Sequence, residues 1–391
     1  MRHSFHMYIS NHCCHRDMEL TKELRKAESS DILAILLMVL FHIRFVYMAV
    51  LDFRSVYLDA LFYIIVMAAL LTMRINNYVK ILIPIALISI VNPATRNLFL
   101  IFSTSYLVAD RLSVRDFARI NVGLILMVFI AVWIMNYLGI TNDNMVEYEF
   151  YAEGEIKNVR KRGDWGFSNP NRLAMFIYSF IINAYVMVKK NHYRIFCVFI
   201  AGLTFLIYSI TLSRTFVMSM MVFILCVWCL KSESIVRTFV KAKHILAFFP
   251  LFFLFLILYL AKIGYTNIII DILTSGRLRL YMDFINQCTL RDYLIGTDMI
   301  NQLTIDNSYL HLLFLGGVLG LAISSYLWIK TILKINVSNA ALLPIFASMA
   351  CYGIMESIWT MLLCYGNMLI WVIMTKIVVL DRKVLLNSLS K

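Results

Sequence analysis

Long apolar runs, separated by short connections that carry most of the cations, constrain this chain more than any other feature of its sequence. The runs are roughly 18–22 residues long, enough helix to cross about 30 Å of hydrocarbon. Of the 391 residues, 61% are hydrophobic and only 15% charged, with a mean hydropathy of +0.78. A soluble domain is nearer half apolar and a quarter charged, so the composition excludes one. No polar stretch is long enough to form a separate soluble domain.

The runs place spans at 31–50, 55–73, 79–92, 96–110, 120–140, 171–188, 193–211, 214–230, 244–261, 307–329, 339–357 and 361–380. In lipid the backbone must satisfy its own polar groups, so continuously apolar runs are helices. A transmembrane β-barrel would show alternating strands of about ten residues, and these runs do not alternate. The expectation is an all-α polytopic membrane protein of about twelve transmembrane helices. Residues 31–380 make one membrane domain, between a cytoplasmic segment 1–30 and a cytoplasmic tail 381–391.

The formal charge of +13 is scattered through the connections and forms no basic stripe, so nucleic acid is not the expected partner. The cations instead set topology and meet anionic lipid headgroups of the bilayer. Lys22, Arg25, Lys26, Arg74, Lys80, Arg111, Arg115, Arg119, Lys189, Lys190 and Arg194 fall on one side. So do Lys231, Arg237, Lys241, Lys243, Lys330, Lys334, Arg382, Lys383 and Lys391, whereas the opposite short loops hold Arg54, Arg96 and Arg214. Both termini are therefore expected in the cytoplasm, with two long loops, about 141–170 and 262–306, outside.

His12, Cys13, Cys14 and His15 are adjacent and lack a second spaced pair, so no metal site is expected. Met18 offers an alternative start directly before the first span, and the extreme N-terminus shows no cleavable signal pattern. Cys197, Cys226, Cys229, Cys351 and Cys364 lie in apolar spans and Cys288 alone in its loop, so no loop disulfide is expected.

The outer loops and their flanks carry the chemistry-bearing residues. Asn169-Pro170-Asn171 reads as a capped helix start, either a plain turn before a span or part of a site, with Arg172 just inside the helix. Ser213-Arg214 occupies a connection of almost no length, where the arginine either snorkels outward or meets an anion. Ser275-Gly276-Arg277-Leu278-Arg279-Leu280-Tyr281 opens a helix with Leu278, Tyr281, Ile285 and Cys288 on one face. Arg277 and Arg279 serve there either as headgroup anchors or as anion ligands. Asp306 either caps the next span or joins His311 as a proton acceptor, with Asn307 at the boundary and Gly316, Gly317 and Gly320 allowing close helix packing. Guanidinium groups bind phosphate oxygens bidentately at any relevant pH. The chain has no Asp-rich metal motif, Walker loop or dinucleotide fingerprint, so leaving-group charge would fall to arginine rather than to a metal or other cofactor.

GFSNPNRLA at 166–174, LSRT at 212–215, SGRLRLY at 275–281 and DNSYLHLLFLGGVLG at 306–320, in this order, resemble the Wzy-type oligosaccharide repeat-unit polymerases, relatives of the O-antigen ligases. The resemblance covers roughly 166–320 and implies a GT-C-like fold in the bacterial plasma (inner) membrane. It implies joining of undecaprenyl-diphosphate-linked units into O-antigen, capsule or exopolysaccharide at the outer face, beside a flippase and a chain-length regulator. On the matching positions, Arg214 and Arg277 would clamp the diphosphate with Arg172 and Arg279 as helpers, while Tyr281, Asn307 and Asn171 position substrate. Asp306, which stands where ligase-type relatives often place a histidine, would be the general base, with His311 as its substitute. An O-antigen ligase, a lipid-linked glycan transporter or flippase, and an envelope scaffold are the competing readings.

Overall fold

A computed structural model describes residues 31–51, 56–71, 82–83, 85–87, 89, 92–141, 146–152, 155–167, 169–264, 277–297, 299, 305–359 and 368–382. The N-terminal segment, Gly276, most of the span expected at 79–92 and most of the tail lie outside the described residues. Helices account for nearly all the rest. They are α1 (31–45, continued by a π turn Val46–Val50), α2 (Val56–Leu71), α3 (Pro93–Arg111), α4 (Val114–Tyr137), α5 (Pro170–Met187), α6 (Tyr193–Thr211) and α7 (Arg214–Cys229). Beyond them come α8 (Glu233–Lys241), α9 (Lys243–Gly264), α10 (Arg277–Gln287), α11 (Leu290–Ile295), α12 (Ser308–Leu333), α13 (Leu343–Gly353) and α14 (Leu369–Met374).

The protein is a helical membrane protein. Among the described residues, four helices, Val114–Tyr137, Lys190–Thr211, Lys243–Ile263 and Ser308–Leu333, are long and apolar enough to cross a bilayer, and four shorter apolar helices accompany them. Helices α4, α6, α7 and α9 expose Met127, Ile130, Phe199, Phe205, Leu225, Phe252 and Phe255, side chains that need an apolar solvent. Helices α5, α12, α13 and α14 are buried on most faces and form the centre. Buried polar tips find backbone partners there: Tyr185 Oη donates to Ala341 O at 3.0 Å, Tyr309 Oη to Ala350 O at 2.6 Å and, from the turn after α13, Trp359 Nε1 to Met349 O at 3.2 Å.

The first long loop contains an antiparallel hairpin of β1 (Val146–Ala152) and β2 (Glu155–Arg162), with Val146 opposite Arg162, two strands in a chain expected to be all-α. The Val146, Tyr148, Phe150 alternation with Glu147 and Glu149 is a period-2 strand signal. Helix α12 differs from its expectation as well, because it breaks at Gly317, whose φ of 61° is left-handed. The short helix α11 fills the break. Thr297 N donates to Phe314 O at 2.7 Å, and Thr95 Oγ1 lies 3.1 Å from Ile295 O and 3.3 Å from Leu315 O. Carbonyls freed inside the span are thus satisfied by protein. Gly316 and Gly320 press against Leu98 of α3, the close packing that the glycines led one to expect.

A side chain at Gly317 would meet the Leu294 carbonyl as well as an unfavourable φ. Gly317→Val should therefore cost about 2–4 kcal/mol, combining left-handed strain with overpacking. Thermal unfolding of the detergent-purified variant measures this; an unchanged midpoint would contradict the seating of α11 on α12.

The two ends of the bundle differ in charge. At one end, Lys243 Nζ donates to Leu333 O at 2.6 Å and Ile335 O at 2.7 Å, and Lys334 Nζ to Ile377 O at 3.0 Å. Lys376 Nζ holds Ala109 O and Leu112 O, and Arg382 Nη1 donates to Asp110 O at 2.7 Å. These cations neutralise the carbonyl-bearing C-termini of α3 and α12. The residues expected to carry chemistry lie at the other end of α12, which at 26 residues spans about 39 Å.

Candidate functional site

Helix starts position this site. Asn169 caps α5, its side chain accepting from Asn171 N at 2.8 Å, and Pro170 takes the first turn where no N–H is needed. Asn307 caps α12, its Oδ1 accepting from Tyr309 N at 3.0 Å and Leu310 N at 2.9 Å. Asp306 is therefore not the cap, and its carboxylate is left for other work. Arg277 stands at the start of α10, whose Leu278, Tyr281 and Phe284 are buried; Phe284 packs edge-on against Phe314 of α12 with ring centroids 4.7 Å apart. The inward face is thus Leu278, Tyr281 and Phe284, while Ile285 is only partly buried.

These helix starts meet around Glu356, a residue the sequence reading passed over. Glu356 lies in the turn that follows α13 and is 4% exposed. Its Oε1 accepts from Asn171 Nδ2 at 3.1 Å and lies 3.8 Å from Arg277 Nη2. The same Arg277 Nη2 is 3.1 Å from Asp306 Oδ2, and Nη1 donates to Met355 O at 2.6 Å. Asn307 Nδ2 donates to Ile354 O at 2.6 Å, and Ser308 Oγ donates to Glu356 O at 2.6 Å. The start of α12, the start of α10 and the turn after α13 are thereby tied together. On the far side, Arg162 at the end of β2 donates Nη2 to Asn171 Oδ1 at 2.6 Å and Nε to Thr211 O at the end of α6.

Burial pushes the Glu356 carboxyl up to about 8, with Asp306 adding to the rise and Arg277 and Arg162 opposing it. Burial also raises Asp306, against the pull of Arg277. Burial works against the Arg277 charge, but Asp306 and Glu356 reverse the balance and leave it more basic than usual. Burial raises the Tyr281 phenol, which keeps it a neutral hydroxyl beside Arg277. The arrangement holds permanent cations next to carboxyl groups whose proton affinity lies closer to neutrality than usual.

Arg277, Asp306, Tyr281, Asn307 and Asn171, anticipated from separate motifs, thus come together. Arg172 is half-buried in the first turn of α5, Arg279 is exposed on α10, and His311 is buried in α12 one turn beyond Asn307. Arg214 is exposed at the start of α7, three residues beyond the Thr211 carbonyl that Arg162 holds. Glu356 and Arg162 were missed: the first lay hidden in an apolar run, the second in a run of basic residues. Another ion pair lies elsewhere, where the buried Arg44 of α1 pairs with the half-buried Asp59 and donates Nη2 to Asn97 Oδ1 at 3.0 Å. No group of histidine, cysteine and carboxylate side chains suited to a metal occurs among the described residues. Neither a family model, nor a curated protein, nor a solved structure matches this chain.

Proposed function

We propose that this protein is a polysaccharide polymerase that joins undecaprenyl-diphosphate-linked oligosaccharide repeat units at the outer face of a bacterial plasma membrane. In this reading it is a GT-C-like glycosyltransferase of about twelve spans with both termini cytoplasmic. The observation that carries the proposal is the convergence of three segments, at 169–171, 277–281 and 306–308, on Arg277, Asp306 and Glu356. The convergence lies at the bundle end opposite the lysine- and arginine-rich connections, which are the cytoplasmic side by the positive-inside rule.

The chemistry follows from the residue types. The acceptor hydroxyl of one unit attacks the anomeric carbon of the other, the bond from that carbon to the diphosphate oxygen breaks, and lipid diphosphate leaves. Asp306 takes the hydroxyl proton, and Arg277 stabilises the charge on the leaving diphosphate, with Arg214, Arg172 and Arg279 as outer cations. Tyr281, Asn307 and Asn171 orient the sugars.

One observation favours a different class. The break of α12 at Gly317 has the form of the discontinuous spans of transporters. A single experiment separates the readings: protein in nanodiscs is given a lipid-linked repeat unit and the products are resolved by size. A ladder of multiples is expected. Transfer of a preformed chain to a lipid A core without a ladder would indicate a ligase, and unchanged substrate in nanodiscs with flux in liposomes would indicate a transporter.

A further inference from the structure

Two acidic side chains share one guanidinium at this site, and the contacts of the shared group suggest how an anion gains access to it. Asp306 at 3.1 Å is the closer partner of Arg277 Nη2 and Glu356 at 3.8 Å the looser one. Glu356 also reaches the second guanidinium indirectly, because Asn171 accepts from Arg162 and donates to Glu356. We propose that Glu356 is a switchable counter-charge that binds a proton when a diphosphate group occupies Arg277, so that anion binding and proton uptake at this site are one coupled event.

The inference rests on the reading that Arg277 faces an anionic diphosphate, and it adds the group that controls access. With Glu356 ionised, Arg162 and Arg277 are balanced by Asp306 and Glu356, and the cluster is neutral. With Glu356 protonated, one positive charge is left over, and an incoming anion meets a cation in place of a carboxylate. The protonated acid still accepts from Asn171 Nδ2 through its carbonyl oxygen, so the network survives the change. The groups facing Glu356 are Arg162 from β2, Asn171 from α5, Arg277 and Tyr281 from α10, and Asp306 ahead of α12. Tyr281 stays neutral throughout. Burial already lifts the Glu356 carboxyl to about 8, so it gains a proton within an accessible range.

The sign follows from linkage. An anion beside Glu356 raises its proton affinity further, so binding is strongest where Glu356 is already protonated. Affinity is flat below about pH 8 and falls about tenfold per pH unit above it.

The test uses the full-length protein in detergent, with inorganic pyrophosphate and farnesyl diphosphate as probes, in calorimetry repeated in buffers of different ionisation heat. Counted as the difference from Glu356→Gln, which cancels the protons exchanged by the probe itself, wild type should take up close to one proton per anion at pH 9 and close to none at pH 6.5. Glu356→Gln should exchange only the protons of the probe and bind about tenfold more tightly than wild type at pH 9. Stronger binding of farnesyl diphosphate than of pyrophosphate would assign the site to lipid headgroups, whereas equal binding would assign it to free phosphates; the coupling stands in both cases. Wild-type binding that ignores pH between 6.5 and 9, or no binding of either probe at pH 6.5, overturns the proposal. Coupled uptake without laddered glycan would retain this inference and remove the polymerase reading. A ladder together with pH-independent binding would do the reverse.

Discussion

Arg277→Ala is expected to abolish laddered glycan and also to lower the thermal stability of the purified protein. The sequence presents Arg277 as a ligand at a loop, which suggests a variant that inserts normally and merely loses activity. Its place in the fold demands more. The guanidinium joins α10 to the turn after α13 through Met355 O and faces Asp306 and Glu356 at 3.1 and 3.8 Å. Removing one partner of a fully buried pair leaves charge uncompensated and typically costs about 3–5 kcal/mol, and Arg277 and Asp306 are only part-buried. Protonation of Glu356 relieves part of this, so the lower end is the better expectation. Two readouts separate structure from chemistry. Arg277→Met combined with Asp306→Asn should recover most of the lost stability, because Arg162 and Glu356 still balance each other, yet make no ladder. Arg277→Lys should retain partial activity, because a point charge replaces a bidentate fork. Wild-type ladders from Arg277→Ala would remove Arg277 from the mechanism.

Why some of this was legible and some not has a physical explanation. Spans such as 193–211 and 244–261 were readable because lipid demands uninterrupted apolar length, and α6 and α9 follow them closely. The caps at Asn169 and Pro170 were readable because orphan N–H groups require them locally. Glu356 was obscured because the apolar run at 339–357 absorbs one carboxyl without interruption, although α13 ends at Gly353 and leaves Glu356 in the turn. A lone ionisable residue in such a run is itself a signal, since an unpaired charge in an apolar run is costly. The break at Gly317 depends on where Leu294 and Thr297 dock, a long-range fact that no local pattern encodes. Arg162 shares its sequence context with Arg160 and Lys161, and its engagement with Asn171 and Thr211 comes from the hairpin register.

Asp306→Asn should have the second large effect, and its form distinguishes a base from a structural acid. Asn307 is the cap of α12, so an amide at 306 leaves the helix start intact, and its oxygen still accepts from Arg277 Nη2. The variant lacks only ionisation. As a general base Asp306 contributes about 10²–10⁴ in rate, so kcat should fall by that order. Substrate binding should hold or tighten, because the cluster becomes more positive. Wild-type activity should rise with pH as Asp306 loses its proton, over a range set above the ordinary aspartate value by burial. That acid limb should vanish from the residual activity of the variant. A purely structural Asp306 would instead shift stability and KM together and leave the limb in place. His311 is buried within α12 beyond Asn307, so His311→Gln should keep the acid limb and most of kcat. An Asp306→Asn enzyme with wild-type turnover would transfer the base to another group, and the acid limb of a Glu356→Gln profile would decide whether Glu356 is that group.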